Sequence, residues 1–150
     1  MDRIDRKILA ELQQDGRISL TDLAEKVQLS LSPCHRRLRA LEQSGAISNY
    51  RAHLDAAILG LDFESLVFVT MSAARIDTLT AFEQAVKEIP NVTQAQRLFG
   101  DPDYLLHVVA KDLAAFQKLY DERLATLPGV QRLSSTLVMK NVVDNAPLPL

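Results

Sequence analysis

Between Pro33 and Leu41 the chain carries three arginines, Arg36, Arg37 and Arg39, and no acid, with Ser32 just before them and His35 among them. Guanidinium, hydroxyl and imidazole groups at helical spacing offer the donors that match guanine edges, adenine edges and phosphates in a DNA major groove. At about 100° per residue, Cys34, Leu38 and Leu41 share one face, Ser32, Arg36, Arg39 and Gln43 lie opposite, and His35 and Arg37 sit on the flanks. An ordinary solvated amphipathic helix shows the same pattern. The preceding elements therefore decide between the two.

Those elements argue for a helix-turn-helix. Ser32 is expected to cap this helix and Pro33 to occupy its first position, where no N–H is needed. A four-residue break, 28–31, separates it from a shorter helix in which Leu20, Leu23, Ala24 and Val27 face inward, with Ser19 standing three residues before Asp22 in an approximate capping box. Residues 2–15 read as a first helix, striped by Ile4, Ile8, Leu9 and Leu12, capped by Asp2 and ended by Gly16. Three such stripes can share one small core. Gly45 closes the third helix, and 46–53 alternates loosely, with Ile47 inward and Arg51 and His53 outward, as a short wing or a strand into a linker. His53 would touch DNA backbone or nothing.

The chain has 150 residues, 47% of them apolar, and a net charge of −2. That charge looks wrong for a nucleic-acid binder until it is divided. Residues 1–52 hold nine Lys/Arg against seven Asp/Glu, and 53–150 hold eight against twelve. Neither half is strongly charged, so a multimer is the expected way to gather enough phosphate contacts. One cysteine, a charged N-terminus without a secretory apolar core, and apolar runs of strand length predict a cytoplasmic protein with no membrane partner.

The C-terminal part repeats itself. Ile89-Pro90-Asn91-Val92 and Leu127-Pro128-Gly129-Val130 stand 38 residues apart. Each follows a helical stripe: Leu79, Phe82, Val86 and Ile89 in the first, and Leu113, Phe116, Tyr120, Leu124 and Leu127 in the second. Strand patterns over 66–72 and 104–110 precede these helices, and strands over 92–99 and 134–143 follow them. Strand, helix, strand twice over predicts a four-stranded antiparallel sheet with both helices on one face. The uncovered face, rich in Val, Leu and Phe, predicts at least a dimer. The fold class is α+β, with domains at 1–53 and 64–150 and a linker at 54–63.

No catalytic constellation emerges, and no enzyme is expected. Cys34 and His35 are helical neighbours that point about 100° apart, His107 lies in an apolar strand with no second titratable group spaced to help it, and no metal-ligand cluster appears. Gly100-Asp101-Pro102-Asp103, joining the middle strands, is hairpin chemistry on its spacing alone.

The pieces Asp2-Arg3-Ile4-Asp5-Arg6-Lys7-Ile8-Leu9, Asp15-Gly16-Arg17-Ile18-Ser19, Pro33-Cys34 with Arg36, Arg37 and Leu38, Gly45-Ala46-Ile47, Gly100-Asp101-Pro102-Asp103-Tyr104 and Leu127-Pro128-Gly129-Val130, in this order, resemble the Lrp/AsnC family of bacterial transcription regulators across essentially the whole chain. The resemblance implies a winged helix-turn-helix domain and a ferredoxin-like βαββαβ effector domain. It also implies dimers that assemble into tetramers, octamers or larger discs and bind amino acids in a cleft between dimers. By the same resemblance that cleft would include Gly100, Asp101, Asp103 and Tyr104, with Thr136 and Val138 from the last strand. Asp103, or else Asp101, would meet the ammonium of a zwitterion whose carboxylate takes backbone N–H groups of the turn. Where the family carries Gly in the helix-turn-helix turn, this chain has Gln28, and the approach to the third helix keeps a hydroxyl cap.

The function expected is a sequence-specific DNA-binding regulator of transcription. Its DNA binding or assembly would respond to an amino acid, leucine or another apolar one, without a further cofactor. The competing reading is an architectural protein that compacts double-stranded DNA without an effector.

Overall fold

The computed structural model describes residues 1–150, which divide into two compact units: 1–54 with 142–150, and 55–141. The first unit holds α1 (Arg3–Gln14), α2 (Leu20–Lys26) and α3 (Leu31–Gln43). Asp2 caps α1, its Oδ1 accepting from Ile4 N at 2.8 Å and Asp5 N at 2.9 Å while Asp5 accepts from Asp2 N at 2.9 Å. A complete capping box thus starts the helix. The expected glycine stop is absent: Asp15 turns extended, and its carboxylate accepts Arg17 N at 2.8 Å, so an Asx turn ends α1. Ser19 caps α2 through Asp22 N at 3.0 Å and donates its hydroxyl to the Asp22 carboxylate at 2.6 Å.

The start of α3 corrects the sequence reading. Ser30, not Ser32, is the N-cap, and it makes no side-chain capping bond. Pro33 therefore sits third in the helix, still within the first turn, where a missing N–H costs nothing. The cause lies one turn upstream. Gln28 adopts φ 58°, with Gln28 N donating to Glu25 O and Leu29 N to Ala24 O. That is the left-handed C-cap motif that glycine usually serves, and it brings the chain into α3 two residues early. Gly45, at φ 76°, closes α3 as expected. Ile8, Leu23, Ala24, Val27, Cys34 and Leu41 form the core of the unit.

Residues 46–53 form no strand; Tyr50 instead donates to Glu42 Oε1 at 3.0 Å. Residues 142–150 cluster with the first unit. Leu148 N donates to Gln13 Oε1 at 2.6 Å, and Gln13 Nε2 returns a bond to Leu148 O at 3.2 Å.

The second unit runs β1 (Phe63–Met71), α4 (Ile76–Lys87), β2 (Val92–Arg97), β3 (Tyr104–Ala110), α5 (Leu113–Leu119), a π-helical turn (Tyr120–Leu124) and β4 (Val130–Leu137). The sheet order is β2-β3-β1-β4 and every pairing is antiparallel, the duplicated βαβ arrangement expected. The last strand begins at Val130 and stops at Leu137, four and six residues ahead of its expected ends. Leu113 is exposed rather than part of the second helical stripe, while the π turn carries Leu124 into full burial. Val67, Val69, Leu106 and Val108 are wholly buried beneath Phe82, Val86 and Phe116. With side chains alternating along each strand, Leu66, Phe68, Leu105, His107 and Val109 make up the opposite face, all of them only half-buried.

Candidate functional site

On α3 the buried stripe of Cys34 and Leu41 turns the rest of the helix outward. Ser32, His35, Arg36 and Arg39 are exposed, and neither Arg36 nor Arg39 has a hydrogen-bond or ion-pair partner in the protein. Two free guanidiniums spaced i, i+3 on a helix anchored through its other side can reach base edges and phosphates.

Arg37 departs from this group. Its Nη1 donates to Asp2 Oδ2 at 2.7 Å and to Asp5 Oδ1 at 2.8 Å, which ties α3 to the first turn of α1. These two carboxylates, Asp5 foremost, hold the guanidinium above its ordinary pKa. Asp2 is held below the usual carboxylate range, first by the Asp5 backbone N–H and then by Arg37. Burial pushes the Cys34 thiol up, which suits a core residue and not a nucleophile.

Of the six residues expected to bind an effector, Gly100, Asp101, Asp103 and Tyr104 lie in and beside the hairpin between β2 and β3, and Thr136 and Val138 lie at the end of β4. Gly100 and Asp101 are exposed in the hairpin between β2 and β3. Asp103 is committed to the fold: its Oδ2 accepts Met71 N at 2.7 Å, its N–H donates to Val69 O at 2.9 Å, and its carbonyl accepts Leu98 N at 2.7 Å. Tyr104 is 2% exposed and faces the helix layer, its ring centroid 4.6 Å from that of Phe82. Thr136 pairs with Leu66 on the opposite face of the sheet, and Val138 N donates to Glu64 O at 2.9 Å beyond the end of β4.

A charged cluster that the sequence did not reveal lies between α4 and the β2 edge. Arg97 Nη2 meets Glu83 Oε1 at 2.6 Å, Arg97 Nε donates to the Tyr104 hydroxyl at 3.1 Å, and that hydroxyl donates to the same Glu83 oxygen at 2.8 Å. The Tyr104 bond, then the Arg97 charge, holds the Glu83 carboxyl below its usual range, while burial pushes the Tyr104 hydroxyl up. Glu83 and Arg97 are 14 residues apart on different elements, so no local spacing announces the pair.

One unit of the chain is trihelical with an outward cationic helix and the other is a duplicated βαβ sheet. The comparisons agree. Residues 1–48 match the winged helix-turn-helix DNA-binding model and 64–148 match the Lrp/AsnC ligand binding domain model. The Bkd operon transcriptional regulator of Pseudomonas aeruginosa is 41% identical over all of this chain and 98% of its own length. The leucine-responsive regulatory protein of Escherichia coli is 39% identical over 95% of this chain and 87% of its own. Among solved structures, a transcriptional regulator of Neisseria meningitidis in complex with L-Met superposes with a TM-score of 0.94, at 35% identity over 99% of this chain and 96% of that one. This chain belongs to the Lrp/AsnC family of DNA-binding transcriptional regulators that respond to amino acids.

Proposed function

We propose that α3 reads operator DNA through Ser32, His35, Arg36 and Arg39, that Arg37 positions this helix, and that the response is to an apolar amino acid such as leucine or methionine. The observation that carries the DNA reading is the pair of unpartnered guanidiniums, Arg36 and Arg39, on the exposed side of a helix whose other side is core. The choice of effector is supported by leucine-responsive relatives and by the similar regulator solved with L-Met.

The working division is a DNA-binding unit ending near residue 54, to which 142–150 adds, and a sensor unit over 55–141. The sensor unit also supplies the self-association surface. Leu66, Phe68, Leu105 and Val109 form an apolar patch on the sheet face that no helix covers, and a second copy of the same face is its fitting partner. Such pairing doubles the modest phosphate attraction of one copy. No helix is long and apolar enough to cross a membrane, and a cytoplasmic location fits a DNA-binding chain.

Retardation of the chain's own promoter fragment against a scrambled one, at matched salt and with each amino acid added, tests the whole reading. Preference for the promoter and a shift of midpoint with an apolar amino acid are expected. Equal affinity for both fragments with no response to any amino acid would establish the architectural alternative instead.

A further inference from the structure

Residues 142–150 belong with the DNA-binding unit, although the chain reaches them from β4 of the sensor unit. The chain therefore passes from one unit to the other twice, at 54–55 and again at 141–142. The second crossing is held at both of its ends. On the sensor side, Val138 N donates to Glu64 O at 2.9 Å and Asn141 Nδ2 to Glu64 Oε2 at 2.7 Å, so the residues just past β4 are pinned to the start of β1. On the other side, Asp144 Oδ2 stands 3.5 Å from His53 Nε2. Gln13 then grips the main chain of one residue, its Oε1 accepting Leu148 N at 2.6 Å and its Nε2 donating to Leu148 O at 3.2 Å.

The sequence prepares this grip. Pro147 and Pro149 flank Leu148. Each proline fixes its own φ and pushes the residue before it into extended backbone, so Leu148 offers its N–H and C=O on a stretch that is already straight. Neither proline has an N–H, which makes Leu148 N the one donor of the three residues, and Gln13 takes it. The Leu148 side chain is 72% exposed, so it is the main chain that is recognised.

Every residue of 142–150 is exposed. A few polar contacts set against the ordering of the whole segment leave its docking finely balanced, which a switching element needs and a buried brace lacks. Gln13 is also placed where docking matters. It lies in the last turn of α1, while Asp2 and Asp5 at the start of that helix hold Arg37 of α3. One helix carries the cationic helix at one end and the tail at the other.

We propose that residues 142–150 are a strap through which the sensor unit acts on α3. Docked on Gln13, the strap steadies α1 and with it the anchor of Arg37. A change at the end of β4, where Thr136 and Val138 are the expected effector contacts, shifts the balance between docked and free strap, and so the presentation of Arg36 and Arg39. The proposal rests on the amino-acid response put forward above and supplies its route.

The test is gel retardation of the promoter fragment with and without the apolar amino acid that shifts wild type most, beside calorimetric titration of that amino acid. Both are run on the full chain as wild type, Gln13→Leu, Leu148→Pro and Leu148→Ala. Gln13→Leu removes the grip from α1, and Leu148→Pro removes the N–H it holds, both at exposed positions. Each should bind the amino acid with wild-type affinity yet lose at least about half of the shift in operator midpoint. The two together should lose no more than either alone, because they break one contact. Leu148→Ala keeps the N–H and C=O and should respond as wild type. A full shift in Gln13→Leu and Leu148→Pro overturns the strap and leaves the amino-acid response standing. Loss of amino-acid binding in both overturns it too, since the tail would then serve the sensor's own site. Leu148→Ala that loses the shift as Leu148→Pro does overturns the main-chain grip. Wild type that shows no shift with any amino acid removes the response itself, and the strap with it.

Discussion

Arg37 on α3 and Asp5 on α1 meet at 2.8 Å, and the same guanidinium nitrogen reaches Asp2 at 2.7 Å. Because Asp2 and Asp5 also form the capping box of α1, one pair of acids both starts the first helix and fixes the angle of the third. The orientation of the cationic face is therefore set by two carboxylates of another helix.

Arg37→Ala and Arg36→Ala should differ in kind. Loss of Arg37 frees two carboxylates, so the thermal midpoint falls and operator affinity falls with it. Loss of Arg36 or of Arg39 should weaken operator binding by about tenfold each, with the midpoint unmoved and a shallower salt dependence wherever a phosphate contact is lost. Gel retardation across a salt series, beside thermal unfolding, checks both. An unstable Arg36→Ala, or an Arg37→Ala that unfolds as wild type, would reverse the roles.

Gln28 holds a left-handed backbone with φ 58°, a conformation that costs an ordinary L residue about 1–2 kcal/mol. Gln28→Gly should relieve most of that and lose some to the looser unfolded chain, for a net gain of about 0.5–1 kcal/mol. Urea unfolding measures it. A loss of stability would mean that the Gln28 side chain contributes more than its backbone costs.

Gly129 combines φ 73° with a crowded site, since a Cβ there would stand 2.3 Å from Thr78 Cγ2 and 3.0 Å from Met71 Cε. Gly129→Ala should destabilise the sensor unit by about 2–4 kcal/mol, from strain and overpacking together. Gly60, at φ 73° with nothing near its Cβ position, isolates the backbone share, and Gly60→Ala should cost only about 1–2 kcal/mol. Equal losses in the two variants would mean that Thr78 moves aside freely.

Phe68 lies in the centre of the uncovered sheet face, opposite Leu105 on β3 and Ser134 on β4. Phe68→Lys places a charge where a second copy would pack, so sedimentation should shift toward the monomer while far-UV dichroism stays constant. A variant that remains fully associated would assign the interface to another surface.

The Glu83 carboxyl is held below its ordinary range by the Tyr104 hydrogen bond and the Arg97 charge. A depressed folded-state pKa stabilises the fold above the unfolded value, near pH 4, and that stabilisation is lost as pH falls through the folded value. Glu83→Gln should therefore lower the thermal midpoint more at pH 6 than at pH 3. Parallel midpoint curves for the two proteins over that range would show that the pair does not stabilise the fold.

The amino-acid sequence determined the inventory of elements. The stripe of Ile4, Ile8 and Leu12 reports which side of a helix leaves water, the unbroken apolar run from Leu66 to Val69 reports a strand, and the repeated Ile-Pro-Asn-Val and Leu-Pro-Gly-Val turns report where each half of the duplication closes, because these are properties of neighbouring residues alone. The same logic placed Arg36 and Arg39 outside. The tertiary structure decided which polar groups meet. It gave Arg37 to Asp2 and Asp5, joined Arg97 to Glu83 and Tyr104, spent Asp103 on the Met71 N–H and laid Leu148 against Gln13. It also moved the start of α3 from Ser32 to Ser30, since the left-handed turn at Gln28 fixes where the chain re-enters helical geometry. A side chain's exposure follows from the period of its own segment, whereas its partner depends on how separate segments dock, and no local spacing encodes that.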